Sequence, residues 1–362
     1  MAITRQRADG MSLPDSPSSV ADASRRRFFR LGLGALSAAL GADAAKAAVS
    51  GVPGSTDAVR IAHGPHTLDS FPAWFAADAG LVPAPGLALI DTSDSPLDTL
   101  LRGDCEFAQA GVTGIARAVL EGRDPVLVLS PVDPHRAGAL FSRNDLRSPR
   151  ELANARVGVP GESGASAISA RAVMQNFGIV ATLVPLGSSA AAYTALAERR
   201  VDAAYLPVEL GFRGRHEFGW NMFEGGMLGV PGGLVTTRRF AAMNPLRVTA
   251  VLAGVVEAIH RFRTRPESTS LALQRYLKVD HLAIAGDLQA LYSPIFRATP
   301  SPSLFFGLAG LRRDLATRYP HAGGLQPADL VDGSFVDSLV RNGFIERLYR
   351  ESRDNIREGA AP

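Results

Sequence analysis

A chain of 362 residues, 46% hydrophobic and 20% charged, is long enough for two domains or for one domain wound from two lobes; its composition excludes a disordered or membrane-embedded chain. The formal net charge of +3 sits wholly in residues 1–47, with seven basic against four acidic side chains, so the sequence pI near 9.3 marks no phosphate-gripping surface. One cysteine, Cys105, excludes an internal disulfide and any multi-cysteine metal site, and lysine is confined to Lys46 and Lys278.

At the N-terminus, Ser24-Arg25-Arg26-Arg27-Phe28-Phe29-Arg30 precedes a weakly apolar stretch from Leu31 to Leu40. Ala45-Lys46-Ala47 then has the small-x-small form of a signal peptidase site. The array resembles a twin-arginine export signal over residues 1–47. About ten apolar residues cannot span a ~30 Å hydrocarbon core, which takes about 20 in a helix. No cysteine stands near the cleavage site to carry a lipid anchor. The expectation is a soluble periplasmic protein, handled by the twin-arginine translocase, with a mature start near Ala48. Residues 48–58 read as a linker.

From Val59 the chain alternates short apolar runs with helical patterns, the mark of βα units and a largely parallel sheet. Asp69-Ser70 with Pro72 predicts a helix closed by Gly80, and Ser95-Pro96 another closed by Gly103. Ser148-Pro149, with Glu151 completing a capping box, predicts a third. Val126 to Val132 reads as a strand buried on both faces.

An internal echo spans the two halves. Arg60-Ile61-Ala62 recurs as Arg156-Val157-Gly158, and Leu100 to Gly111 aligns with Leu196 to Pro207, setting Glu106 against Asp202 and Cys105 against Val201. Two lobes on one plan account for the repeat. The same alignment makes Cys105 a buried structural residue entering a strand.

The chain also resembles the nitrate/sulfonate/taurine-type substrate-binding proteins, which share a fold with the thiamine-pyrimidine synthases. The resemblance runs from Val59 to Tyr349. It rests on Arg60-Ile61-Ala62, Trp74-Phe75-Ala76 before Ala79-Gly80-Leu81, Leu101-Arg102-Gly103-Asp104, Arg156-Val157-Gly158-Val159, Val201-Asp202-Ala203-Ala204, Gly233 to Phe240, and Asn342-Gly343-Phe344-Ile345. It implies an α/β, type II periplasmic-binding fold: two lobes of mostly parallel sheet with helices on both faces, joined by two crossing strands. Lobe 1 would comprise residues 59–133 and 233–350, the latter ending in helices; lobe 2 would be 134–232, with a tail at 351–362. The implied function is the solute-binding component of an ABC-type importer, a monomer that closes on a small organic molecule and hands it to a membrane permease with its ATPase.

Ligands of parallel α/β sheets sit off the carboxyl ends of strands, where helix N-termini present free N–H groups. In lobe 1 that names His63, His66, Thr67, Ser93, Ser95, Gly111, Val112 and Thr113, with Gly232 at the return strand. In lobe 2 it names Gly161, Glu162, Ser163, Gly164, Ala165, Ser166, Ser188, Pro207 and Glu209. Gly161 to Ser166 is either a small-residue ligand loop or an ordinary strand-to-helix turn. Glu162 and Ala165 depart from the hydroxyl-rich loop that the resemblance to sulfonate and taurine binders implies, and with Glu209 as a second negative charge they favour a neutral, amine-bearing or aromatic ligand, because carboxylates repel an anion in a desolvated cleft. The His63/His66 pair admits a metal, a ligand hydrogen bond or plain loop histidines; two imidazoles alone make an incomplete zinc site, and no metal or other cofactor is expected. Phe71 and Trp74 serve either as pocket wall or as core.

Catalytic residues are not required by this reading. The rival is an enzyme on the same scaffold: a pyrimidine-synthase-like one would need a lysine, a reactive histidine and a cysteine-rich segment, and a desulfinase-like one a cleft cysteine. A ligand sensor for a membrane receptor is the third reading.

Overall fold

The computed structural model describes residues 58–359, apart from 65, 93–94, 133–137, 163–164, 224–231, 279–281 and 305–306. Two five-stranded sheets organise them. The first takes β1 (Val59–His63), β2 (Leu87–Asp91), β3 (Phe107–Gly111), β4 (Pro125–Leu129) and β10 (Gly232–Thr237) in the order β2-β1-β3-β10-β4. The second takes β5 (Gly138–Ser142), β6 (Arg156–Val159), β7 (Thr182–Pro185), β8 (Ala203–Pro207) and β9 (Asn221–Phe223) in the order β7-β6-β8-β5-β9. Each sheet has one reversed strand, β10 in the first and β5 in the second, and each reversed strand is the first to enter its sheet after the chain leaves the other. The two sheets are therefore built on one plan, in an α/β fold of two lobes.

The repeat read from the sequence is a structural equivalence with a physical cause. The backbone N–H of Arg60 donates to Glu106 Oε2 at 2.8 Å, and that of Arg156 donates to Asp202 Oδ2, also at 2.8 Å. Each carboxylate thus satisfies a backbone N–H at the start of an equivalent parallel strand, β1 in lobe 1 and β6 in lobe 2. Cys105 and Val201, one position earlier, are 5% and 1% exposed. Burial pushes the Cys105 thiol pKa up, which keeps it protonated.

Helices flank both sheets. In lobe 1, α1 (Phe71–Asp78), α2 (Pro96–Arg102) and α3 (Val112–Leu120) each follow a strand, and in lobe 2, α4 (Ala165–Asn176), α5 (Ser189–Ala197) and α6 (Val208–Phe218) do the same. Gly80 and Gly103 stand just past α1 and α2 in the left-handed region, with φ of 59° and 87°, where a side chain would be strained. After β10 come α7 (Arg238–Met243), α8 (Pro245–Thr264), α9 (Pro266–Leu277), α10 (Leu282–Tyr292), α11 (Leu308–Ala316), α12 (Pro327–Leu330), α13 (Ser334–Arg341) and α14 (Phe344–Gly359). Helix α8 buries Val248, Val251, Leu252, Val255, Val256, Ile259 and Phe262 at helical spacing and packs on α1. Phe262 there meets Phe71 edge to face at 5.4 Å, and burying such a ring contributes ~1.5–3 kcal/mol. No helix among the described residues is long and apolar enough to cross a membrane.

Two local readings are corrected. Pro149–Leu152 is a single 3-10 turn rather than a helix, and Glu151 accepts from the N–H of Arg147 at 2.8 Å, one residue before the expected box. Asn154 at φ 61° then turns the chain straight into β6, leaving no room for further turns. Ser70 precedes α1 but does not cap it; its own backbone is already helical, and its hydroxyl faces Thr67 instead. The two expected crossing strands fall on 133–137 and 224–231, which lie outside the described residues, as do the signal and all but the last residue of the linker.

Candidate functional site

The carboxyl ends of the parallel strands gather most of the residues that their spacing singled out. At the end of β1, His63 is buried, 8% exposed, and its Nδ1 donates to the Gly64 carbonyl at 3.1 Å. The His63 and His66 rings stack with centroids 5.5 Å apart, and His66 lies 4.6 Å from the Tyr276 ring of α9. Burial, His63 and the charge of Lys278 together lower the pKa of His66, so its ring is neutral at pH 7. Lys278 itself is exposed, ending α9 at φ 53°.

The next turn holds an acidic group in place. Thr67 Oγ1 donates to Asp69 Oδ1 at 2.5 Å and lies 3.1 Å from Ser70 Oγ, while the Tyr276 hydroxyl donates to the Thr67 carbonyl at 3.1 Å. The Asp69 carboxylate reaches the strand ends: Oδ2 lies 3.8 Å from where a side chain on Gly232 would begin, with Ala110 and Gly111 beside it. Gly232 pairs with Gly111 in the β3–β10 ladder, so two glycines in register leave this corner open.

The opposing wall comes from lobe 2. Pro207 ends β8, and Glu209 is the second residue of α6. Protein surrounds the Glu209 carboxyl, although the residue as a whole stays partly exposed. Burial raises its pKa from 4.5 to about 8, its own backbone N–H opposes that, and the negative charge of Asp69 adds to it. Desolvation therefore outweighs the helix N-terminus, which on its own would favour the ionised form. Tyr276 and Tyr292 feel both carboxylates and have their hydroxyl pKa values pushed up, chiefly by burial. Tyr205, on β8, is buried and bonded to Ser169. Asp69, Glu209, Tyr276 and Tyr292 thus converge from both lobes.

The remaining predicted residues divide by role. Gly111 starts α3; the Val112 side chain is fully buried in the core, so only its backbone is free to serve a ligand, and Thr113 is half-buried. Ser188 caps α5, accepting from the Ala191 N–H at 3.0 Å, which accounts for it as a helix signal. Ser95 precedes α2 and is exposed. Gly161 and Glu162 lie at the mouth of the β6 loop, where Arg171 donates to the Glu162 carbonyl at 2.8 Å. Ser166 is half-buried in α4, of which Ala165 is the first residue. Ser93, Ser163 and Gly164 lie outside the described residues. Phe71 is fully buried core, whereas Trp74 is half-buried against Tyr276 at 5.2 Å. Among the described residues no group of three or more His, Cys, Asp or Glu side chains is arranged to hold a metal ion.

Sequence reasoning did not assign Asp69, Tyr276, Tyr292 or Tyr205 to the site. Asp69 carried a signal, a carboxylate in a strand-end loop, but it was absorbed as part of a helix start. The tyrosines of α9 and α10 carry no local signal.

No family model matches the sequence, and no curated protein does. Solved structures do. A ligand-binding component of an ABC-type import system from Staphylococcus aureus, with zinc bound, is 13% identical over 78% of this chain and 98% of its own, with a TM-score of 0.60. The alkanesulfonate-binding protein of Xanthomonas axonopodis pv. citri, bound to MOPS, is 17% identical over 77% and 100%, with a TM-score of 0.58. The periplasmic aliphatic sulphonate-binding protein of Escherichia coli is 16% identical over 74% and 88%, again at 0.58. At these identities the likeness is one of fold: the chain has the two-lobed architecture of periplasmic binding proteins.

Proposed function

We propose that this protein is a solute-binding protein that captures a small organic molecule between its lobes and delivers it to an ABC-type importer. One observation carries the reading: Asp69 and Glu209 follow strand ends of different lobes, and the negative charge of Asp69 contributes to raising the pKa of Glu209. A ligand held between them touches both lobes and stabilises their closed arrangement, which is how hinge closure becomes a recognisable signal for a permease. The fold's solved neighbours, two of them named as sulfonate binders and one as an import-system component, support the class of function. No covalent chemistry is assigned to the site. Cys105 lies in the core under β3 rather than in the cleft, and Lys278 is exposed at the end of a helix. Residues 1–47 export the chain by the twin-arginine route, in this reading, to a soluble periplasmic existence.

The test is a stability screen of the full chain against cationic, neutral and anionic small solutes. A solute at 100 times its Kd adds ~2.7 kcal/mol, a shift of several degrees. A true ligand also reduces the radius of gyration in solution scattering and is recovered unchanged. A folded chain that responds to no solute, or that converts one, ends this reading.

A further inference from the structure

We infer that Gly111 and Gly232 determine specificity in the lobe 1 half of the cleft: a planar group of the ligand lies over their bare backbone and donates an N–H or O–H to Asp69 Oδ2. This rests on the solute-binding reading and narrows it to one ligand chemistry.

The fold itself does not require glycine at either position. Gly111 has φ −88° and ψ 152°, extended backbone that any residue adopts, and Gly232 is not in the left-handed region either. A side chain beginning at Gly111 would meet nothing within 4 Å. One beginning at Gly232 would have the Ala110 carbonyl oxygen at 3.5 Å, Gly111 Cα at 3.6 Å and Asp69 Oδ2 at 3.8 Å, all ordinary van der Waals separations. The next residue shows the contrary case. Gly233 has φ 152°, and a side chain there would overlap the Leu129 carbonyl, so the fold does demand that glycine.

Glycine weakens a strand, and where packing does not call for it, it marks a place where another group approaches the backbone. Gly111 and Gly232 stand in register in the β3–β10 ladder, the first exposed and the second half-buried. The Gly232 carbonyl accepts the hydroxyl of the buried Ser130 at 3.0 Å, which holds this stretch of backbone in place. Two facing residues without side chains leave a level strip, which a planar group covers more fully than a branched one.

The hydrogen bonding of Asp69 is an independent observation. A hydroxyl has one proton, and that of Thr67 goes to Asp69 Oδ1 at 2.5 Å. The 3.1 Å contact between Thr67 Oγ1 and Ser70 Oγ is therefore donated by Ser70, while Tyr276 donates to the Thr67 carbonyl at 3.1 Å. Three hydroxyls thus hold the turn and one carboxylate oxygen. Among the described residues the other oxygen, Oδ2, has no hydrogen-bond donor, and it is the one beside Gly232. An oriented acceptor next to bare backbone suits a flat group with a donor at its edge. A carboxylate or sulfonate brings acceptors alone, leaves Oδ2 unpaired and adds a like charge.

Two measurements on the full chain decide the matter. In thermal unfolding, Gly111→Ala and Gly232→Ala should melt at or above the wild-type temperature, because alanine fits both backbones and restricts the unfolded chain. In calorimetry, benzamide and 2-aminopyridine are matched with acetophenone and 2-methylpyridine, in which methyl replaces the amino group, and with benzenesulfonate. At least one amino probe should bind at least tenfold more tightly than its methyl counterpart, with no measurable binding of benzenesulfonate. Gly232→Ala should weaken that binding tenfold or more without loss of stability, and so should Asp69→Asn, which keeps an acceptor for Thr67. If Gly232→Ala melts several degrees below wild type, glycine is a requirement of the fold and the inference is overturned. Equal binding within both pairs, binding of benzenesulfonate alone, or silence from both amino probes overturns it as well. A solute from the broader stability screen whose affinity survives Gly232→Ala sinks the inference and leaves a solute-binding protein, whereas a chain that answers no solute at all loses both.

Discussion

Glu209 is where burial and charge compete most openly in this protein. The residue was singled out in the sequence because ligands of parallel α/β sheets sit off the carboxyl ends of strands. Its protonation was not, because that depends first on how completely the fold desolvates the carboxyl, with the charge of Asp69 adding to it. The consequence for stability has a definite sign. A carboxyl whose pKa is raised from 4.5 to about 8 keeps its proton in the folded state where the unfolded chain has lost it. The folded state then binds more protons across that window, and stability falls as pH rises through it. Each pKa unit corresponds to ~1.4 kcal/mol; allowing for water that still reaches the cleft, a contribution on the order of 2 kcal/mol remains. The thermal midpoint of the ligand-free protein should therefore drop more between pH 5 and pH 8 than that of Glu209→Gln. Parallel pH profiles of the two proteins would show that Glu209 is not held protonated.

Helix α6 carries Glu209, and its position is set by two glycines. A side chain added at Gly211 would overlap the Phe141 ring of β5, and one at Gly214 the Trp220 ring that leads into β9. Both rings are buried, so neither can step aside. By intrinsic propensity alone, alanine in a helix interior is ~1 kcal/mol better than glycine. Here overpacking costs ~1–3 kcal/mol and wins. Gly211→Ala and Gly214→Ala are each expected to lower stability in denaturant unfolding, and a gain would mean that α6 stands off its sheet. The same helix shows what sequence patterns can reach. Strand-to-helix order, the glycine stops of α1 and α2, and the Glu106/Asp202 echo are all enforced within about 50 residues of chain, and each could be read from spacing. Ser148 misled for a related reason. The cap chemistry was present, but a turn of four residues used it before β6 began. Tyr276 and Tyr292 stayed invisible because their helices are amphipathic like any other, and only the packing of α9 and α10 against α1 and α6 brings them to the cleft.

Across the whole molecule the lobes meet along α6 and α10, and an exposed side-chain contact spans them: His216 Nε2 lies 3.1 Å from Asp287 Oδ2. Glu209 and Tyr292 occupy the cleft ends of the same two helices. Under the proposed hinge closure the pair is a contact between the lobes, lying seven residues along α6 from Glu209. Exposed pairs contribute ~0–1 kcal/mol, so Asp287→Asn should weaken binding by at most about fivefold. More telling is its uniformity. A change that acts on the closing equilibrium alone reduces the fraction of competent protein and scales every ligand's apparent affinity by one factor. A change in the site alters ligands unequally. Titrating a strong and a weak ligand against Asp287→Asn and Glu209→Gln separates the two cases. The first variant should leave the affinity ratio unchanged, and the second should change it. Were Asp287→Asn to alter the ratio, the α6–α10 seam would belong to the ligand site rather than to closure.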